Sequence, residues 1–184
     1  MRANDLKPGV AVKMDGRLFV CVKTEHVKPG KGPAYVQARL RDVASGAYAD
    51  KRLGSADKLE GTTLDRRDME YLYQDADGYV FMDKETFDQL TLTEDVAGES
   101  MKFLRPNTDC IVLVHEGNPL LIELPASVEL EVTDTPPGVK SATVTNVFKE
   151  ATCETGLVTK VPDFINVGET IRVSTADGSY QARA

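Results

Sequence analysis

Histidine and cysteine are scarce in this sequence, and tryptophan is absent. The 184 residues include two histidines, His26 and His115, and three cysteines without a Cys-x-x-Cys spacing. A structural zinc site usually needs cysteine or histidine ligands in closely spaced pairs, and a disulfide framework needs an even number of cysteines. We therefore expect no metal site, no disulfide framework and no histidine-based catalytic triad. Apolar or β-branched neighbours predict buried thiols at Cys21, Cys110 and Cys153.

Long apolar runs are also missing, and none approaches the ~20 residues that a membrane-spanning helix needs. The N-terminal segment MRANDLKPGV lacks the apolar core of a secretory signal. With 41% hydrophobic and 28% charged residues, the composition is typical of a soluble globular protein. We therefore expect a cytoplasmic protein without membrane contact, long enough for two or three compact modules.

Charges of the two signs are distributed unevenly along the chain, although the net charge is −7. Residues 1–62 carry 12 basic against 7 acidic side chains, a local excess of +5. The remaining residues carry 10 basic against 22 acidic side chains, a local excess of −12. Because the local field decides which partners a surface attracts, the first segment is a candidate for contact with nucleic acid.

Short runs of valine, tyrosine and alternating polar residues predict β-strands in the first third of the chain. Asp15-Gly16 predicts a tight hairpin turn between the first two runs, and Ser45-Gly46 predicts a second one. Residues 1–62 are therefore predicted to form a small barrel of about five or six strands. The four clearest runs are 9–16, 17–25, 34–44 and 47–54.

The rest of the chain repeats this pattern of short strands and turns. Asp77-Gly78 predicts a turn before a returning strand at 79–82, and residues 83–92 predict a short helix or turn. Gly117-Asn118 is predicted to turn a hairpin that Pro125 ends. Strands at a spacing of about 8–12 residues indicate small all-β barrels rather than a parallel sheet. The predicted strands of the last segment, with Asp177-Gly178 in the final turn, are 127–135, 157–162, 169–175 and 179–184.

The segment from His26 to Tyr35 places a single lysine between two glycines that are flanked by prolines. Glycine accepts backbone conformations that other residues avoid and adds no side chain. Proline fixes its own φ and restrains the residue before it. These properties predict a narrow, stiffly held loop tip that projects from the barrel with little bulk around the lysine. The residues of this lysine loop are Pro29, Gly30, Lys31, Gly32 and Pro33.

Several roles for Lys31 follow from this geometry. A phosphate-binding P-loop fails, because Gly32 follows Lys31 where that motif needs serine or threonine. A carrier lysine with an attached cofactor suits the loop, although no Met-Lys-Met acceptor surrounds it, and a solvated hairpin tip remains open. The local excess of +5 favours insertion of the lysine into an RNA-lined cavity. The neighbouring cations predicted to contact the RNA phosphates are Lys23, Lys28, Arg39 and Arg41.

Two stretches resemble the bacterial elongation factor P family, which is related to the hypusine-bearing translation factor of eukaryotes and archaea. VKPGKGPAYVQARLRDVASG is similar to its loop and following strand, with Lys31 at the functional lysine. KEATCETGLVTKVPDFINVG is similar to its C-terminal signature, in which Thr159 replaces the usual aliphatic residue. The opening MRANDLKPG resembles a paralogue that usually lacks the lysine, so the loop aligns this chain with the main factor. The signature positions filled here are Lys149, Ala151, Gly156, Val161, Pro162, Ile165 and Gly168.

The resemblance covers essentially the whole chain and implies a three-domain, all-β protein with a tRNA-like overall shape. Residues 1–62 would form an SH3-like (KOW-type) domain that carries the lysine loop. Two OB-fold domains, residues 63–126 and residues 127–184, would follow it.

The resemblance also implies a translation elongation factor that binds the ribosome next to peptidyl-tRNA and stimulates peptide-bond formation, relieving stalling at consecutive prolines. Such a factor makes and breaks no bonds, so we expect a monomeric non-enzyme without a cofactor that contacts rRNA and peptidyl-tRNA. Some relatives modify the loop lysine, which would add a lysine-modifying enzyme as a partner, whereas Pro33 favours an unmodified Lys31. The alternative is a general RNA-binding or paralogous ribosome-binding β-barrel protein without a proline-specific role.

The C-terminal segment departs from the family pattern in one loop. Relatives often carry a Gly-Asp-x-x-Gly-Thr-Gly loop thought to approach the exit-site codon, but residues 141–148 read SATVTNVF. The resemblance therefore carries no codon contact over to this loop. Tyr180 and Arg183 do match C-terminal positions that contact the small ribosomal subunit in relatives. Packing at the end of a strand is the alternative for Tyr180.

Overall fold

A computed structural model describes residues 1–139 and 147–184 of the chain. Strands dominate these residues and form three five-stranded sheets, which confirms the predicted all-β class. No helix within the described ranges has the length and apolar character needed to cross a membrane. The loop at 141–148, where the sequence departs from the family pattern, lies almost wholly outside the described residues.

The chain groups into two compact units. The first unit combines residues 1–68 with 111–123, and the second combines residues 69–110 with 124–184. Residues 111–123 therefore group with the N-terminal segment, which the sequence did not indicate. The predicted domain boundaries at 62/63 and 126/127 remain predictions.

The first sheet is antiparallel, with the strand order β4-β3-β2-β1-β5. A 3₁₀ helix (Ala3–Asp5) precedes it. Asp15 and Gly16 turn the first hairpin with φ of 51° and 74°, which confirms the predicted tight turn. Ser45-Gly46 instead belongs to a wider connection, so the prediction of a second tight turn is wrong. The strands are β1 (Ala11–Met14), β2 (Arg17–Val27), β3 (Tyr35–Asp42), β4 (Tyr48–Gly54) and β5 (Glu60–Thr62).

The second sheet has the strand order β10-β9-β6-β7-β8. A short helix, α1 (Glu94–Ala97), and a 3₁₀ helix (Gly98–Lys102) follow β8. The sequence did not predict these helices. The strands are β6 (Asp65–Gln74), β7 (Tyr79–Asp83), β8 (Gln89–Leu92), β9 (Thr108–His115) and β10 (Asn118–Glu123).

Two local predictions for the second sheet need correction. The segment predicted as a short helix or turn at 83–92 is a turn followed by strand β8, because Gln89–Leu92 pairs with β7. The hairpin turn of β9 and β10 is formed by Glu116 and Gly117, one residue earlier than predicted, with φ of 49° and 80°. Both residues therefore take the left-handed conformation that a tight hairpin turn requires.

The third sheet has the strand order β13-β12-β11-β14-β15. Four of its strands fall at predicted positions, whereas β12 was recognised only as part of the family signature. The strands are β11 (Ser127–Asp134), β12 (Phe148–Cys153), β13 (Val158–Pro162), β14 (Thr170–Ser174) and β15 (Tyr180–Arg183).

Alternation along the strands decides which side chains enter the cores. In β3, Val36, Ala38 and Leu40 are fully buried, whereas Gln37 and Arg39 between them are exposed. This register points Gln37 and Arg39 away from the core and leaves the Arg39 side chain available to solvent. The equivalent buried residues of β11 are Val128, Leu130 and Val132.

All three cysteines are buried and free, which confirms the sequence prediction. Burial raises the pKa of the Cys21 thiol to about 11 and that of the Cys110 thiol to about 12. Because the thiolate is the reactive form, these two thiols are unreactive at neutral pH.

Candidate functional site

The lysine loop connects β2 and β3. The two strands pair as far as Val27 and Tyr35, and the loop residues 28–34 extend beyond this last pair. Every residue from Lys28 to Pro33 is exposed. The hairpin therefore holds Lys31 at an exposed tip, where the sequence predicted it.

Glycine serves a different purpose at each of the two loop positions, Gly30 and Gly32. Gly32 has a φ of 106°, a conformation that residues with a side chain rarely adopt. A Cβ atom at Gly30 would meet no other atom within 4 Å, and Gly30 does not have a positive φ. Glycine at position 30 is therefore not required by the free protein, but it keeps the tip narrow beside Lys31.

Three of the predicted cations remain available to an external partner. Lys23, Lys28 and Arg39 are exposed, and Lys23 lies directly opposite Arg39 across β2 and β3. Within the described residues, no carboxylate forms an ion pair with Lys23, Lys28, Lys31 or Arg39. The outer face of this hairpin and its tip therefore carry positive charge that the described part of the protein does not neutralise.

Arg41 does not belong with these cations. Its side chain is buried, and its Nη1 donates a 2.6 Å hydrogen bond to the backbone carbonyl of Leu120 in β10. Leu120 also packs in an apolar cluster with Ala11 and Val20. Burial and this bond leave the Arg41 guanidinium inside the first unit, where it holds β10. Contact of Arg41 with RNA stays a prediction that this placement does not support.

Two arginine–tyrosine pairs on the first sheet were missed in the sequence. The guanidinium carbon of Arg52 lies 3.8 Å from the ring centroid of Tyr35, and that of Arg39 lies 5.0 Å from the ring centroid of Tyr48. Such flat cationic pairs suit stacking against nucleic-acid bases. The signal in the sequence was the alternation in YVQAR, which places Tyr35 and Arg39 on one face.

The two predicted C-terminal contacts already have partners within the chain. Tyr180 is half-buried and packs against the hydrophobic core formed by the third sheet. Arg183 forms a 3.1 Å ion pair with Glu169, and its guanidinium carbon lies 4.6 Å from the ring centroid of Phe164. Contact of either residue with the small ribosomal subunit stays a prediction.

Family models match three consecutive stretches of the chain. An elongation factor P KOW-like domain matches residues 2–59, an elongation factor P OB domain matches 64–122, and an elongation factor P C-terminal domain matches 128–183. The predicted boundaries at 62/63 and 126/127 fall between these stretches.

Curated relatives extend the similarity over the whole chain. Elongation factor P of Nocardia farcinica is 49% identical over 180 residues, covering 98% of this chain and 96% of the relative. Elongation factor P of Acetivibrio thermocellus is 46% identical over 181 residues, covering 98% of each. The solved structure titled eukaryotic translation initiation factor 5A from Methanococcus jannaschii is 24% identical and covers 67% of this chain and 92% of that one, with a TM-score of 0.42.

The fold and the site together define a class of protein. A KOW-like domain with an exposed lysine loop, followed by OB-type strands, is the arrangement of a translation factor. The matches over 98% of the chain make the assignment specific. The chain belongs to the elongation factor P family.

Proposed function

We propose that this elongation factor binds the ribosome next to peptidyl-tRNA and stimulates peptide-bond formation, relieving stalling at consecutive prolines. The observation that carries the proposal is Lys31, which stands at an exposed, narrow tip with no ion pair to any described carboxylate. The factor acts as a monomer in the cytoplasm, and its first domain contacts peptidyl-tRNA and rRNA.

The proposed mechanism is positioning. Proline reacts slowly because its ring restricts the geometry of the reacting groups and hinders its amine. Hydrogen bonds from the Lys31 ammonium to the tRNA backbone reduce the freedom of the peptidyl-tRNA near the catalytic centre. A tenfold acceleration needs only about 1.4 kcal/mol, which one or two charge-assisted hydrogen bonds supply. No chemical step is assigned to the factor itself, so the proposed role is not enzymatic.

Other cations of the protein are proposed to contact the ribosome as well. Lys23, Lys28 and Arg39 neutralise phosphates around the tip, and each contact adds to the salt dependence of binding. For Arg183 to contact the small subunit, a phosphate would have to replace Glu169 as its partner.

Translation of a message with three consecutive prolines tests the function. Purified ribosomes translate this message and a matched proline-free message, with and without the factor. We expect the factor to accelerate only the proline message. An equal effect on both messages would instead favour a general RNA-binding or paralogous ribosome-binding protein.

The intact mass of the native protein tests the state of Lys31. We expect a mass that matches the bare chain of 20.1 kDa, because Pro33 leaves a stiff tip that presents lysine without an extension. Intact-protein mass spectrometry of material from the native cell makes the measurement. An added mass on the peptide that contains Lys31 would contradict the expectation and identify a lysine-modifying enzyme or carrier chemistry.

Alanine at each loop glycine separates stability from function. Gly30→Ala adds a methyl group to open space, so we expect a change in melting temperature of less than about 1 °C. The wider tip should nevertheless reduce relief of proline stalling by about tenfold.

Gly32→Ala forces a side chain to a φ of 106° and should lower the free energy of unfolding by about 1 kcal/mol. Thermal unfolding and the triple-proline message measure both effects, and a fully active Gly30→Ala variant would contradict the need for a narrow tip.

A further inference from the structure

The three sheets each contain the same six-residue turn, at 42–47, 83–88 and 174–179. In each turn the first residue donates its N–H to the carbonyl of the sixth at 2.8 Å. The fifth residue donates its N–H to the carbonyl of the first, also at 2.8 Å. The connections between β3 and β4, β7 and β8, and β14 and β15 are therefore built alike.

The fifth position of this turn requires a left-handed backbone. Gly46 and Gly178 occupy it in the first and third sheets, with φ of 71° and 73°. Phe87 occupies it in the second sheet, with φ of 62°. Residues with a side chain other than asparagine or aspartate rarely adopt this conformation, so phenylalanine is an unfavourable choice for the turn itself.

Packing within the chain does not explain the phenylalanine. The Phe87 side chain is 70% exposed, so most of its ring faces solvent. The turn also holds its shape without the ring, because the Asp83 carboxylate accepts hydrogen bonds from the N–H groups of Glu85 and Thr86 at 2.8 and 3.0 Å. An exposed aromatic ring on a strained but firmly held backbone is typical of a binding site rather than of a folding requirement.

The charges around Phe87 indicate the chemistry of the partner. Glu85 and Asp88 flank Phe87 within the turn and are exposed, and the Lys84 ammonium of the same turn is paired with Asp109 at 2.5 Å. The whole segment 63–126 carries 14 acidic against 5 basic side chains. Phosphates would be repelled from this surface, whereas a basic protein surface would be attracted to it.

We propose that Phe87 is a docking anchor that inserts into an apolar pocket with a basic rim on a protein partner. The inference rests on the proposed function in one respect, because the ribosome is where the partner is expected to be presented. A buried aromatic anchor commonly dominates the affinity of such an interface.

Three variants test the anchor in the full-length protein. Phe87→Gly and Phe87→Asn suit the left-handed backbone and should raise the melting temperature by about 2 °C. The same variants should weaken binding to purified ribosomes by about tenfold. Phe87→Tyr keeps the ring and should leave ribosome binding within about twofold. Unchanged ribosome binding by both Phe87→Gly and Phe87→Asn would overturn the proposal, whatever their melting temperatures.

A photo-crosslinking residue in place of Phe87 identifies the class of partner. We expect a product with purified ribosomes that protease removes and ribonuclease leaves intact. A product that ribonuclease degrades, or no product at all, would overturn a protein partner. Wild-type activity on the triple-proline message is measured in parallel. If the wild-type protein does not accelerate this message, the result counts against the proposed function. The Phe87 variants and the cross-link test only the anchor.

Discussion

We expect that replacing Lys31 with alanine strongly reduces relief of stalling at three consecutive prolines and leaves a proline-free message unaffected. The substitution removes the only ammonium group of the loop tip, residues 29–33, and with it the proposed charge-assisted hydrogen bond to the tRNA. One such bond contributes about 1.5–3 kcal/mol, so we expect a loss of about tenfold to hundredfold in the rate at the prolines. Single-turnover translation of both messages measures the effect. We expect the fold to be unchanged, because Lys31 is exposed and forms no ion pair with a described carboxylate.

Lys28 provides the matched control for this substitution. It is also exposed and lies just before the loop tip, but it is predicted to contact phosphate rather than the acceptor end. Lys28→Ala should weaken ribosome binding on every message and reduce the salt slope of binding by about one. Equal slowing of both messages by Lys31→Ala would contradict a proline-specific role for the lysine.

Replacing Arg41 with alanine produces the largest loss of stability that we expect. The substitution leaves the Leu120 carbonyl buried without its donor, and it empties a site beside the cluster that contains Ala11 and Val20. A buried polar group without a partner costs about 1–3 kcal/mol, and lost packing adds to this. We therefore expect the free energy of unfolding of the first unit to fall by about 3 kcal/mol, as measured by urea denaturation.

Arg39 is the control on the same strand. It lies two residues away but is exposed, so Arg39→Ala should change the free energy of unfolding by less than about 0.5 kcal/mol. The same variant should weaken ribosome binding, because a phosphate contact and the stack on Tyr48 are lost. Two variants with equal stability would contradict the structural role of Arg41.

The contrast between these two arginines shows one feature that the sequence did not predict, the burial of Arg41. Alternation along β3 is a local property, and it separates the buried Val36 and Leu40 from the exposed Arg39. The same alternation placed Arg41 on the exposed face. Arg41 is instead buried, and its guanidinium bonds to Leu120 of β10, which is 79 residues further along the chain. Contacts at such separation leave no periodic signal in one sequence.

Turns were predictable to the extent that their chemistry is local. Asp15-Gly16 was correct because the two residues suit the left-handed conformations of a tight turn. The next hairpin turn was misplaced by one residue, because Gly117 can serve either position of such a turn. The sequence placed turns near all three six-residue connections, but their shared form escaped prediction because its hydrogen bonds join residues four and five apart.

The lysine loop was predictable from sequence because proline and glycine act on their own residues. The stacked pair of Tyr35 and Arg52 was not, because it joins two strands whose register is set by the whole sheet. The anchor proposed at Phe87 was hidden for the same reason, since its unusual backbone emerges only beside the equivalent turns of the other sheets.

A structure of the factor bound to a ribosome stalled at consecutive prolines tests the central claim most directly. The decisive distance joins the Lys31 Nζ to the backbone of the tRNA acceptor end. We predict about 3 Å, the separation of a hydrogen bond. An Nζ surrounded by solvent and far from the tRNA terminus, in a complex that is otherwise well ordered, would contradict the proposed positioning role.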